Sequence, residues 1–146
     1  MNCKFCYCDR PFWIQITMLL ETPTLLITDD DTGFRETLRG AFEPRGFRTI
    51  LAGNGEEALD IVHHEIVHLV LLDVHMPKLS GLETLYRLKE FRAMLPCILL
   101  SAQLDDLIIE QAKLAQAFSV LSKTVTLSQI TGVVRLALKR TYDWNG

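Results

Sequence analysis

The sequence predicts an α/β fold: five parallel strands in one doubly wound sheet, covered by helices on both faces as a three-layer α/β/α sandwich. Three observations predict it. Apolar runs of four or five residues recur along the chain, too short for buried helices and mostly without polar alternation, as strands covered on both faces require. Stretches with helical spacing separate successive runs, and strands alternating with helices imply parallel pairing through right-handed crossovers. Polar residues then stand at the end of one run after another, where open α/β sheets gather their ligands.

Residues 1–22 read as an N-terminal extension outside the core. Cys3, Cys6 and Cys8 crowd it, Phe5, Tyr7, Phe12 and Trp13 add aromatics, and no clean period runs through it. Three thiolates fall one short of a closed zinc site, so the expectation is a poorly ordered tail, or an over-extended reading frame with Met18 as the natural start. Gln15 and Thr17 interrupt the apolar stretch from Phe12 to Leu20 and no small-residue cleavage site follows, so it is not read as a signal peptide. The core is expected over residues 23–141, undivided by linkers or repeats, with 142–146 as a short tail.

Thr24-Leu-Leu-Ile-Thr28 is the first strand and runs into three carboxylates, Asp29, Asp30 and Asp31. Phe34, Leu38, Ala41 and Phe42 follow at helical spacing, and Pro44 with Gly46 stops that helix. Phe47 to Ala52 alternates apolar with polar, as an edge strand does. Gly53-Asn-Gly-Glu-Glu-Ala58 matches a dinucleotide-binding fingerprint on paper. It follows an edge strand, however, so the reading is an Asn54 cap with Glu57 three residues on, opening a helix that buries Ala58, Leu59 and Val62. His63, His64 and His68 straddle the end of that helix and are expected to be solvated.

Leu69 to Leu72 form the third strand, which delivers Asp73 to its carboxyl end. Pro77 cannot continue a ladder, and Ser80-Gly-Leu-Glu83 is a capping box opening a helix over 81–91, so the turn between them is short and stiff. Pro96 to Ser101 is a fourth strand, ending in a hydroxyl, and a helix from about Asp105 to Ala115 follows. Phe118 to Leu121 is the fifth strand, with Lys123 just beyond it. Thr126-Leu-Ser-Gln129 then caps a last helix burying Leu127, Ile130, Val134, Ala137 and Leu138.

Composition excludes several classes. The chain has 146 residues, one domain's worth, and 49% hydrophobic content supplies a sizeable core. A net charge of −3 without a basic run argues against a nucleic-acid surface. No apolar segment approaches the roughly 20 residues that span a bilayer. Cys97 lies in a strand and the other three cysteines lie together at the N-terminus, so no disulfide framework is expected and a reducing, cytoplasmic compartment fits.

Asp29 and Asp30, Asp73, Ser101 and Lys123 therefore end four strands of an otherwise apolar sheet. Several carboxylates brought together repel, and at least one pKa rises unless a divalent cation neutralises them. Two or three oxygen ligands plus water suit magnesium, which commonly bridges to a phosphate. Lys123 adds a compact positive charge and Ser101 a hydroxyl, so the set is suited to receiving a phosphoryl group.

These residues resemble those of the receiver domain of two-component response regulators over roughly residues 23–140: Asp29-Asp30, Asp73 in Leu-Leu-Asp-Val-His-Met-Pro, Ser101-Ala102, and Lys123 in Val-Leu-Ser-Lys. The resemblance implies a flavodoxin-like five-stranded sheet and a phosphoacceptor at Asp73. It implies magnesium held by Asp29 or Asp30 with Asp73 and the backbone carbonyl of His75, Ser101 as a switch hydroxyl, and Lys123 paired with the phosphoryl group. It also implies a sensor histidine kinase or phosphotransfer protein as donor and a downstream protein partner. His75 and Gln103, two past the acceptor and two past the hydroxyl, would border the path of the hydrolytic water. The protein would accept phosphoryl and catalyse at most its own dephosphorylation, rather than act as an enzyme on other substrates.

Three positions depart from the family pattern. Thr124 stands where proline often follows the lysine, and Gln116 where glycine usually stands. Val120 replaces the aromatic that swings inward with the hydroxyl. The last two departures bear on the switch and on the last turn before strand five, and Val120 with Thr124 favours an alternative function, a receiver-like scaffold that binds partners without phosphorylation. A phosphatase with an Asp-x-Asp nucleophile would need a carboxylate where His75 stands.

Overall fold

The computed structural model describes residues 22–146, and the expectations for the cysteine-rich N-terminus lie outside the described residues. The order of elements is β1 (Thr24–Thr28), α1 (Thr32–Phe42), a 3-10 turn (Glu43–Arg45), β2 (Arg48–Ala52), α2 (Gly55–His64), β3 (Leu69–Asp73), α3 (Gly81–Phe91), β4 (Cys97–Ser101), α4 (Asp106–Leu114), β5 (Ser119–Ser122) and α5 (Leu127–Tyr142). All five strands pair in parallel in the order β2-β1-β3-β4-β5. The chain moves outward from β1 to β2 and then reverses to β3. The turns after β1 and β3 consequently open a crevice at the carboxyl edge, the topological switch point where such sheets bind ligands.

Every residue of β1, β3 and β4 is buried, while β2 and β5 are only partly covered, as edge strands are. Alternate residues feed two cores. Leu26, Val70, Leu72 and Leu99 pack beneath α2, α3 and α4, against Ala58, Val62, Leu85, Leu88, Ile108 and Ala112. Leu25, Ile27, Leu69, Leu71, Ile98 and Leu100 face α1 and α5, against Leu38, Phe42, Ile130, Val134, Ala137 and Leu138. Each buried Leu, Ile or Phe contributes about 1.5–3 kcal/mol relative to exposure, which anchors the central strands whose ends carry the polar residues.

Helix starts follow the local chemistry. Asp31, Asn54 and Asp105 cap α1, α2 and α4 by accepting from Phe34 N, Glu57 N and Ile108 N. Ser80–Glu83 and Thr126–Gln129 both form reciprocal capping boxes. Glu57 reaches back one residue further, accepting from Gly53 N at 2.7 Å, so the glycine-rich stretch is a helix start. Gly81 is required by close approach: a Cβ there would lie 2.1 Å from the carbonyl oxygen of Asp73.

Three expectations are corrected. His68 is half-buried rather than solvated, because its Nδ1 accepts from Thr24 N at 2.9 Å while its carbonyl accepts from Tyr142 Oη at 2.8 Å. Burial, with the Arg92 charge, lowers its pKa and keeps the ring neutral. Leu127 is 38% exposed, since the first residue of α5 precedes the turn that reaches the core. Strand five is shifted by one, Ser119–Ser122, through Phe118 N donating to Cys97 O and Lys123 N to Ser101 O. Beyond α5, Trp144 packs against Phe47 with ring centroids 5.4 Å apart.

Candidate functional site

Register brings the polar strand ends together. Thr28 pairs with Leu72 and Asp73 with Leu100, so Asp29 and Asp73 are level on adjacent strands. Ser101 pairs with Ser122, which sets Lys123 one step further along β5. Asp29, Asp73 and Ser101 are all buried, whereas Asp30 is exposed beside them.

The carboxylates of Asp29, Asp30 and Asp73 each offer an oxygen within 4.8 Å of the others. Asp29 Oδ1 accepts from Asp31 N at 2.9 Å, and the Arg35 guanidinium donates to the Asp29 carbonyl, so backbone and side chain are both held. Asp73 Oδ1 accepts from His75 N at 3.3 Å. The Lys123 ammonium lies 2.6 Å from Asp29 Oδ2 and 3.4 Å from Asp73 Oδ1. The first contact is a short, buried ion pair that engages Asp29 Oδ2.

Charge follows from this crowding. Burial, then repulsion from Asp29, raises the Asp73 pKa to about 6, with Lys123 and the His75 N–H holding it down. Burial alone would lower the Lys123 pKa, but contact with Asp29 and the charges of Asp29 and Asp73 override it and raise it. One ammonium does not neutralise three carboxylates. Three carboxylates gathered as hard oxygen donors fit a divalent cation such as magnesium, with Asp29, Asp30 and Asp73 as the residues that would hold it.

Ser101 Oγ accepts from Gln103 N at 3.2 Å, a turn that fixes the hydroxyl at the mouth of β4. His75 is exposed, and only its main chain engages the cluster. Thr124 bends back onto β5, its N–H donating to Ser122 Oγ at 3.2 Å. Val120 is partly buried and lines a groove of about 290 Å³ with Ile109, Ala112, Lys113 and Ala117.

The model of the response regulator receiver domain matches residues 25–135. The chain belongs to the response regulator receiver domain family. Sporulation initiation phosphotransferase F of Bacillus subtilis (strain 168) is 34% identical over 111 residues, covering 76% of this chain and 90% of the relative. Response regulator MprA of Mycolicibacterium vanbaalenii is 36% identical over 123 residues, covering 84% of this chain but 53% of the relative, so the chain spans about half the length of such relatives. A CheY-like receiver domain protein from Methanospirillum hungatei JF-1 superimposes with a TM-score of 0.80 at 21% identity, over 84% of this chain and 98% of that one, which shows the shared fold.

The receiver family is a family of two-component signalling domains, whose partners are histidine kinases or phosphotransfer proteins. No described helix is long and apolar enough to cross a membrane.

Asp29, Asp30, Asp73 and Lys123 converge, with Ser101 at the adjoining strand end; His75 contributes through its backbone. Other contributors escaped the sequence reading. Asp31 counted there as one of three carboxylates, yet its side chain is spent on capping α1. Phe34 fits the helical spacing of α1, and its ring also lies 4.6 Å from the Lys123 ammonium. Arg35 carried no signal, being an ordinary charged helix residue by pattern.

Proposed function

We propose that Asp73 is the phosphoacceptor of this receiver, with residues 23–141 as the phosphoryl-accepting unit. The observation that carries the reading is the Lys123 ammonium set between Asp29 and Asp73, 2.6 and 3.4 Å away, in a cluster that also contains the exposed carboxylate of Asp30. The Asp73 oxygen attacks phosphorus, forming an acyl phosphate as the P–N bond of a donor phosphohistidine breaks, its electron pair leaving on the imidazole nitrogen. Asp29, Asp30 and Asp73, with the carbonyl of His75, would hold magnesium, which when bound would offset the negative charge of the transferring group. Lys123 pairs with the phosphoryl oxygens and Ser101 donates its hydroxyl to one of them. His75 and Gln103 flank the water that later hydrolyses the acyl phosphate, so the domain catalyses its own dephosphorylation.

The donor is a sensor histidine kinase or a phosphotransfer protein, and the reaction belongs to the cytoplasm. The relative matched over nine-tenths of its length is named a phosphotransferase, which supports a phosphorelay role. The face built by residues about 104 to 138 carries the signal to a downstream protein, because the added charge of about −1.5 to −2 is within reach of Ser101 and Lys123, which border it.

Acetyl phosphate labelling tests the assignment. Wild type takes acid-stable, alkali-labile label only with magnesium, and Asp73→Asn takes none while remaining folded. Label persisting on Asp73→Asn, or undiminished labelling in excess chelator, overturns it.

A further inference from the structure

Phe34 stands in the first turn of α1, the element that follows the acidic loop. Asp31 pins it there, its carboxylate accepting from Phe34 N at 3.2 Å. The ring is only partly buried, and its centroid lies 4.6 Å from the Lys123 ammonium. Around the ammonium, among the described residues, stand Asp29 at 2.6 Å, Asp73 at 3.4 Å and this ring. Two are carboxylates that the reading above gives other work. A ring face attracts a cation through its quadrupole and stays available when the carboxylates are engaged.

We infer that Phe34 is a positioning residue for phosphoryl transfer, its ring holding the Lys123 ammonium at the mouth of the site when Asp29 and Asp73 are engaged elsewhere. This rests on Lys123 serving the phosphoryl group as described above. A purely structural role is the competing account, since the ring also packs against the core formed with α1 and α5. The two accounts differ in one respect. Packing depends on shape, whereas attraction for an ammonium depends on ring electronics.

The test replaces Phe34 in the full chain by mono-, di- and trifluorophenylalanine, which keep the ring's shape while draining its face of negative charge. Two quantities are read: the initial rate of labelling by acetyl phosphate with magnesium, and hydrogen exchange of the ¹⁵N-labelled Lys123 ammonium without and with magnesium, which engages the carboxylates. Both change stepwise with fluorination, ammonium exchange quickening and labelling slowing. Phe34→Leu slows labelling about two- to fivefold, and Phe34→Trp matches or exceeds wild type. Flat responses across the fluorinated series overturn the inference, even if Phe34→Leu lowers stability. If wild type takes no label, or Asp73→Asn does, the phosphoacceptor reading fails instead, and ammonium exchange across the series still decides the role of Phe34.

Discussion

Asp73 is held in a position its charge disfavours. Its carboxyl titrates at about 6, against an ordinary value of 3.8, because burial and Asp29 outweigh Lys123 and the His75 N–H. The folded state therefore binds the proton more tightly than the unfolded chain does. The stabilising contribution is complete below about pH 4 and is lost as pH rises through about 6, by about 1–3 kcal/mol. Asp73→Asn carries no such charge. In metal-free urea unfolding, the variant is expected to exceed wild type in stability at pH 7.5 by about that amount and to lose the advantage at pH 4. A pH-independent difference would show that the carboxylate is not under this stress. At this scale the sequence was legible where residue type and strand-end position coincide, as for Asp29, Asp73, Ser101 and Lys123. It was silent where a side chain's direction decides its role. Phe34 and His68 obey the patterns of a core and a solvated residue, yet one faces an ammonium and the other receives a backbone N–H.

The elements were legible almost throughout, because short apolar runs, caps and stops agreed with one another. Boundaries shifted only where hydrogen bonds rather than hydrophobicity set the edge, as at β5. Gln116 shows what sequence departure means physically. It sits at φ 64 just past α4, in the left-handed region that glycine enters freely and other residues occupy at a cost of about 1–2 kcal/mol. Gln116→Gly removes that cost and returns part of it as unfolded-chain entropy. A net gain of about 0.5–1 kcal/mol is expected by urea denaturation, with labelling of Asp73 unaltered. A loss of stability would mean that the glutamine side chain contributes contacts outweighing its backbone strain.

At the scale of the whole molecule, the sheet has one end that repels itself and another that is tied. At the amino end, Thr24 N donates to His68 Nδ1 and Tyr142 Oη to the His68 carbonyl, joining β1, β3 and α5. A strand of five residues separates the ends by about 16 Å, far enough for substitutions at each to act independently. Tyr142→Phe removes one half-buried hydrogen bond and is expected to cost about 1 kcal/mol while leaving the labelling rate unchanged. Its effect should add to that of Asp73→Asn within about 0.5 kcal/mol in the double variant. A larger discrepancy in thermal or urea unfolding would reveal coupling along the sheet.

Gly81 turns a missing methyl group into a mechanical fact. Its N–H donates to Val74 O at 2.9 Å, and a Cβ would collide with the Asp73 carbonyl at 2.1 Å, so the head of α3 bears on the backbone at the end of β3 with no side chain as cushion. Such a joint has no play. The two backbones already touch, and a single added carbon at position 81 would force them apart.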